Sequence, residues 1–302
     1  MKSKLPFLLQ GLFVVFIWSA SKIILKMGLE EIPPYFFAAV LQLVVLVVLL
    51  IYMWFEREKY SFKISVRDKY LMVLAGAVGY GGATLFVMIG LQYVTGATAG
   101  LVAATSVLFT LLMSGILVKE KPRLEQYLGV VLVATGLVIF LGHQVLGGTL
   151  LGVALLILAE VGYAFNNSVG RIIAKAHTDN VTLPLMLIGN GVAAMVLVPI
   201  GLLTDGMPAI NWDIRLVVSL VVVALIFAFG GLIWGNVLDK LKVLEASILD
   251  STMIIQVAIL SVIFLHESLT AHNIYGGLLV LLGALIVDGR LIFPRIFGLK
   301  MV

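Results

Sequence analysis

The chain has 302 residues, of which 62% are hydrophobic and 12% are charged, and its mean hydropathy is +1.16. So little charge cannot cover a soluble globule of this length, and lipid must therefore solvate most of the surface. The absence of cysteine excludes disulfides, thiolate metal sites, iron–sulfur clusters and a cysteine nucleophile, and a net charge of +4 gives no reason to expect a nucleic-acid partner.

Ten apolar runs follow one another along the chain, separated by short polar breaks. They lie near 5–27, 34–55, 70–92, 96–118, 124–142, 149–171, 183–204, 215–238, 244–265 and 272–292. A bilayer core about 30 Å thick needs roughly 20 apolar residues per helix, so each run is close to spanning length. Backbone groups in hydrocarbon must be paired, and no run alternates like a barrel strand. The sequence therefore predicts an all-α integral membrane protein with ten transmembrane helices.

The placement of the basic residues indicates how these helices are oriented. When the ten helices are alternated across the membrane, one side receives only Lys22, Lys26 and Arg215 out of the 20 Lys and Arg residues. Loops rich in Lys and Arg stay on the cytoplasmic side. The pattern therefore predicts cytoplasmic N and C termini and a multi-pass location in the plasma (inner) membrane.

The chain contains an internal repeat, because residues 91–140 match residues 238–287 at a constant offset without a gap. Identical pairs include Leu91 and Leu238, Thr105 and Thr252, Glu120 and Glu267, Gly129 and Gly276, and Gly136 and Gly283. Each half holds five predicted helices, so the second copy enters the membrane from the opposite side. We therefore expect inverted five-helix repeats at 1–143 and 148–293 and a cytoplasmic tail at 294–302, an organisation that is recurrent in secondary transporters.

Two stretches at the end of each half resemble a known signature. The segments 117–140 and 264–287 are similar to the pattern E-x-x-x-x-x-Q/N-x-x-G-x-x-L-I-x-x-G of the drug/metabolite transporter superfamily, EamA-type branch. The opening 16–26 is similar to that family's first helix, with Trp18, Ser19 and Lys26 at matching positions. The resemblance covers nearly the whole chain and implies export or exchange of metabolites, amino acids or drugs without ATP, and no cofactor or metal.

The same resemblance draws attention to two turns and two helices. Glu120 and Glu267 match the repeated acid of the family and fall at helix turns, where we expect each to cap the N-terminus of the next helix. Family members often carry a proline midway along the fourth and ninth helices. Neither 96–118 nor 244–265 contains a proline, so no proline kink is expected there.

Four aromatic side chains on different helices are candidates for a binding pocket. If Trp18, Tyr80, Tyr163 and Trp234 converge, they form a surface suited to an organic cation or an aromatic substrate. The alternative for each ring is ordinary packing or a place in the interfacial aromatic belt. The sequence leaves both interpretations open.

Charged side chains within the helices are the other candidates, because an ionisable group at the bilayer centre usually faces a cavity or a partner. Glu160 lies near the middle of the sixth run and is the first candidate for proton or cation coupling, while Asp250 in the ninth run is a candidate for substrate binding. A neutral carboxylic acid bonded to a neighbouring helix is the alternative for both. Lys22 is a candidate for substrate binding, because it could pair with a carboxylate or receive an anionic substrate. Lys26 is expected to extend to the membrane interface.

Amides in the helices complete the set of candidates. Such an amide either touches substrate or hydrogen-bonds across helices, and both roles are open for Asn166, Asn167 and Asn190. We place Asn167 in the predicted substrate site. The four histidines are scattered near helix ends without ligand spacing, which argues against an intramembrane enzyme.

Taken together, the sequence predicts a secondary active transporter, exporter or exchanger, of small metabolites such as amino acids. It would work by alternating access, and the sequence leaves open whether transport is coupled to protons. A multidrug exporter of organic cations is the alternative within transport, and a non-transporting scaffold or receptor is the alternative outside it. The expected partners are a small-molecule substrate and the lipid bilayer, with a monomer and a homodimer both open.

Overall fold

Every regular element of the described chain is a helix in the computed structural model, which describes residues 5–117, 124–141, 148–177, 180–240, 249 and 252–287. The helices are α1 (Leu5–Gly28), α2 (Pro34–Glu56), α3 (Val66–Ala75), α4 (Ala83–Tyr93), α5 (Gly96–Ala103), α6 (Ser106–Leu117), α7 (Leu124–Leu141), α8 (Gly148–Ala176), α9 (Thr182–Thr204), α10 (Ile214–Lys240), α11 (Met253–Phe264) and α12 (Ala271–Val287). A short 3₁₀ turn, Arg57–Lys59, follows α2, and a π-helical segment, Gly76–Gly82, joins α3 to α4.

Within the described residues, seven helical stretches are long and apolar enough to cross a membrane. They are Leu5–Gly28, Pro34–Lys59, Val66–Tyr93, Gly96–Leu117, Thr149–Gly170, Thr182–Thr204 and Ile214–Val237. Three shorter apolar helices accompany them at Gln126–Leu141, Met253–Phe264 and Ala271–Ile286. Large apolar side chains such as Trp54 and Leu203 are 80% and 87% exposed, as expected of a surface that faces lipid. The prediction of an all-α integral membrane protein is confirmed, whereas ten crossings stay a prediction.

The helices α7 and α12 pack against each other through glycines on both helices. A Cβ atom built on Gly136 would lie 2.7 Å from Val280 N and 2.8 Å from Gly276 O. A Cβ atom built on Gly283 would lie 2.7 Å from both Val133 N and Gly129 O. The absence of side chains therefore lets the two backbones touch, in the way small residues do between membrane helices.

The fourth predicted run is interrupted although it contains no proline. The helix α5 ends at Ala103 and α6 begins at Ser106, and Thr105 Oγ1 donates to Val102 O at 2.6 Å. The ninth run repeats this contact, because Thr252 Oγ1 donates to Leu249 O at 2.6 Å. A threonine hydroxyl that bonds a carbonyl of the preceding turn competes with the helix ladder and bends the helix. A hydroxyl thus produces the break that we did not expect without proline.

Candidate functional site

A buried carboxyl lies partway along α8, where that helix packs against α4 and the π-helical segment. Glu160 is 5% exposed. Tyr163, one turn further along, shares a hydrogen bond with the Thr84 hydroxyl of α4 and lies close enough to Glu160 for the two groups to interact electrostatically. A buried acid near a hydrogen-bonded tyrosine can exchange a proton or bind a cation, so this cluster is the strongest candidate for coupling chemistry.

The π-helical segment brings a second polar pair to the same helix. Tyr80 hydrogen-bonds the side chain of Asn166 on α8, and its ring lies against Gly189 of α9, where a Cβ atom would be 2.5 Å from Tyr80 Cδ2. Gly79 leaves room for Asn166 in the same way, because a Cβ atom built on Gly79 would lie 2.5 Å from Asn166 Cβ. Within the described residues, Asn166 Oδ1 is buried and has no hydrogen-bond partner. Single-turn π segments in helices occur frequently at functional sites.

Two tryptophans form a separate cluster between α1 and α10. The ring centroids of Trp18 and Trp234 are 5.3 Å apart, with planes inclined by 57°. Gly230 admits the Trp18 indole, because a Cβ atom there would lie 2.8 Å from Trp18 Nε1. Next to Trp18, Ser19 Oγ lies 3.1 Å from Gln256 Oε1, and Gln256 Nε2 donates to Thr252 Oγ1 at 3.0 Å. This cluster therefore connects an aromatic pair to Thr252 at the start of α11.

The predicted site residues thus fall into two groups. Glu160, Tyr163 and Tyr80 share the contact of α8 with the third predicted run, and Trp18 pairs with Trp234. The meeting of all four aromatic side chains in one pocket stays a prediction.

Three further candidates remain outside both groups. Lys22 of α1 and Asn167 of α8 are half-buried, and their contact with substrate stays a prediction. Asp250 lies outside the described residues, as does Glu120.

Lys26 and Glu267 have partners that the sequence did not indicate. Lys26 does not end free at the interface, because its Nζ donates to Leu91 O and Val94 O at 2.6 Å each. Glu267 caps a helix N-terminus as expected, but the helix is not the next one. Its carboxylate accepts from the backbone N of Gly96 and Ala97, at 2.6 and 3.0 Å, at the start of α5 in the other half.

Two polar contacts between helices were missed from the sequence. Thr84, which bonds Tyr163, is a single hydroxyl in an apolar stretch, and that isolation was the available signal. Gln42 of α2 is buried and donates to the side-chain oxygen of Asn190 on α9, whose own Nδ2 donates to Met186 O at 2.7 Å. For Asn190 the structural role is the one observed, since its side-chain amide accepts a hydrogen bond from another helix.

Comparison with known proteins places the chain among membrane transporters. Residues 5–142 and 150–287 each match the EamA-like transporter family. The uncharacterized transporter YoaV of Bacillus subtilis (strain 168) is 24% identical over 279 residues, which cover 89% of this chain and 92% of that protein. An uncharacterized transporter of Archaeoglobus fulgidus is 25% identical over 229 residues, covering 74% and 79%.

The fold has a counterpart among solved structures as well. One crystal structure of a protein superposes with a TM-score of 0.67 and 17% identity, covering 98% of this chain and 100% of that chain. At this identity the likeness concerns the fold alone. Because the family match covers both halves of a chain whose helices are apolar enough to span lipid, the protein is a multi-pass membrane protein that belongs to the EamA-like transporter family.

Proposed function

We propose that the protein is a secondary transporter that exports or exchanges small metabolites such as amino acids by alternating access. In this proposal ten helices form two inverted repeats, 1–143 and 148–293, and the termini and the tail 294–302 are cytoplasmic. The repeated family match over 5–142 and 150–287 supports two equivalent halves. Transport without a cofactor is what such a pair of halves can perform.

The contact between α7 and α12 supports the inversion. Gly129 lies against Gly283 and Gly136 against Gly276. Each contact becomes the other when every residue is exchanged for its repeat equivalent, which is the property of an interface around a two-fold axis. The contacts run in opposite directions along the two helices, which fits a two-fold axis perpendicular to them, as the proposed inverted repeats require.

Contacts between helix ends support the proposed topology. On the predicted cytoplasmic side, Ser61 N donates to Asn180 O at 2.9 Å, so the link after α2 meets the link after α8. On the opposite side, Phe36 N donates to Asp205 Oδ2 at 2.8 Å, so the start of α2 meets the end of α9. Both contacts join ends that alternating helices would place on one side.

The observation that carries the coupling proposal is the burial of Glu160 near Tyr163, whose hydroxyl is hydrogen-bonded to Thr84. A carboxyl in lipid is costly unless function or a partner maintains it, and a group that alternates between protonated and ionised forms needs neighbours that serve both. A tyrosine hydroxyl such as that of Tyr163 can donate to a carboxylate or accept from a carboxylic acid. In the proposed cycle Glu160 binds the proton or cation that exchanges with substrate.

Flux in proteoliposomes tests the proposal. Purified protein is reconstituted, and uptake and counterflow of labelled amino acids and organic cations are measured with and without a pH gradient. We expect wild type to carry at least one substrate and Glu160→Gln to lose the pH-dependent part of the flux. Glu31→Gln, which removes the same charge from an exposed site, is the matched control. Equal pH dependence in Glu160→Gln and wild type would assign Glu160 a structural role.

The Trp18 and Trp234 pair favours a second candidate, an exporter of organic cations. Indole faces attract cations, and tryptophan does so more strongly than the other aromatic residues. This candidate predicts that Trp18→Leu abolishes resistance of cells to a panel of organic cations. Unchanged cation resistance together with lost amino-acid flux would favour the metabolite transporter.

A further inference from the structure

The turn between α4 and α5 is capped at both helix ends by charged side chains from distant parts of the chain. The helix α4 ends at Tyr93, Val94 is extended, and α5 begins at Gly96. The last carbonyls of one helix and the first amides of the next lack partners within their helices and carry opposite partial charges. Lys26 Nζ bonds the two carbonyls Leu91 O and Val94 O, each at 2.6 Å.

Glu267 provides the complementary half of this arrangement. Its Oε1 and Oε2 accept from the first two amides of α5, at 2.6 and 3.0 Å, and it lies in the link between α11 and α12. Both side chains match the sign of the helix end they contact, and such charge-assisted hydrogen bonds are stronger than neutral ones. Lys26 and Glu267 are also close enough to attract each other. We call these two residues and their four backbone bonds the latch.

The latch adds charged hydrogen bonds at a turn where three regions of the chain pack together. Lys26 comes from α1, the turn from the first half, and Glu267 from the second half. The turn is seated against the end of α11, since a Cβ atom on Gly96 would lie 2.6 Å from Ser261 Oγ and 2.8 Å from Leu265 Cδ1. The two halves therefore meet closely on the side that has few basic residues.

Water can reach the latch from outside the bundle. A surface depression of about 330 Å³ is lined by Glu267 and by Thr95, Ala97, Leu265 and Asn273, among others. A carboxylate next to water exchanges a protein partner for a hydrated one at much lower cost than a carboxylate in the core. The latch is thus strong enough to hold the turn and placed where it can open.

We propose that the latch closes the protein on the side poor in Lys and Arg, and that it must release before the substrate site opens to that side. The proposal rests on the alternating access proposed above and adds the residues that regulate one of its two openings. Release would remove the charged hydrogen bonds that tie the start of α5 to the second half of the chain. The next turn of α5, which is buried in the present state, would then become accessible.

Labelling of a single cysteine tests the latch without any substrate, because the natural chain has no cysteine. The reporter is Ala99→Cys, one turn into α5, where the native side chain is 3% exposed. We measure its reaction rate with a membrane-impermeant maleimide applied to the side poor in Lys and Arg. Glu267→Gln and Lys26→Met should each raise the rate roughly tenfold or more, since each removes charged hydrogen bonds from the closed state alone.

Two controls separate release of the latch from other effects. Glu31→Gln removes an exposed charge near the same end of α1 and should leave the rate unchanged. A second reporter, Ala75→Cys, lies in the separate buried cluster with Met72 and Ile173 and is labelled with a permeant maleimide. An unchanged Ala99→Cys rate in both latch variants would overturn the proposal, and so would an equal rise at Ala75→Cys, which indicates general loosening. Increased labelling in a protein without flux would refute the proposed transport but not the opening.

Discussion

Alanine at Gly136 is expected to destabilise the protein because its methyl group has no place between α7 and α12. The added Cβ would lie 2.7 Å from Val280 N and 2.8 Å from Gly276 O. Both neighbours are backbone atoms, so no rotamer change relieves the clash and the helices must separate. Overpacking of this kind costs about 1–3 kcal/mol, and the better helix propensity of alanine recovers up to about 1 kcal/mol. A loss of about 1–2 kcal/mol corresponds to a midpoint lower by about 2–3 °C for a chain of 302 residues.

The repeat makes this prediction quantitative in a second way. A Cβ atom on Gly283 would lie 2.7 Å from Val133 N and 2.7 Å from Gly129 O, and one on Gly136 would lie 2.7 and 2.8 Å from the repeat equivalents of these atoms. Gly283→Ala should therefore lower the midpoint by the same amount. Gly277→Ala is the matched control, because a Cβ atom at that position on α12 has nothing within 4 Å. This control should leave the midpoint unchanged or raise it.

The measurement is an apparent melting midpoint in one detergent and at one heating rate, since membrane proteins commonly unfold irreversibly. The folded fraction is read from the monodisperse peak in size-exclusion chromatography after heating. A fall for Gly277→Ala as large as that for Gly136→Ala would refute the packing argument. Clearly unequal falls for Gly136→Ala and Gly283→Ala would refute the two-fold relation between the helices.

Two further predictions concern hydroxyl groups. Thr105→Val removes the bond to the preceding turn and should straighten the fourth helix, which lowers flux. The control is Thr135→Val, because the Thr135 hydroxyl makes a similar bond on an exposed helix face. The melting midpoint should change no more for Thr105→Val than for this control. Undiminished flux would show that the break is dispensable. Tyr80→Phe leaves the Asn166 amide without its partner and should cost about 1–3 kcal/mol in melting experiments, whereas Tyr275→Phe, where the side chain is 67% exposed, should cost nothing. Equal midpoints for these two variants would contradict the buried hydrogen bond.

The membrane class and the glycine contacts follow from the sequence for physical reasons. In lipid a helix must satisfy its backbone internally, so long apolar runs have few alternatives to helical structure. Gly129 and Gly136 are seven residues apart, which places them on one face of a helix, and their repeat equivalents have the same spacing. The repeat therefore indicates which glycines share a face. It does not indicate that the faces of α7 and α12 meet each other.

The polar contacts could not be predicted because they depend on which helices are neighbours. Lys26 and Glu267 are far apart in the chain, and both bond backbone atoms of a turn whose exposed peptide groups have no sequence signature. Thr105 is a similar case. Threonine hydroxyls in helices commonly bond a carbonyl of the preceding turn, and the sequence does not indicate at which threonine the helix is interrupted.

The distribution of equivalent and unequal residues between the halves fits a protein with two states of similar energy. The shared features act on the backbone: Thr105 and Thr252 make the same bond, and Gly136 and Gly283 make the same contact. Features of the side-chain chemistry differ, with a tryptophan pair in one cluster and a buried acid in the other. If the two states exchange the roles of the halves, shared backbone contacts keep their energies close, as a transporter requires. The unequal polar residues, Glu160 first among them, then determine which state substrate and protons favour.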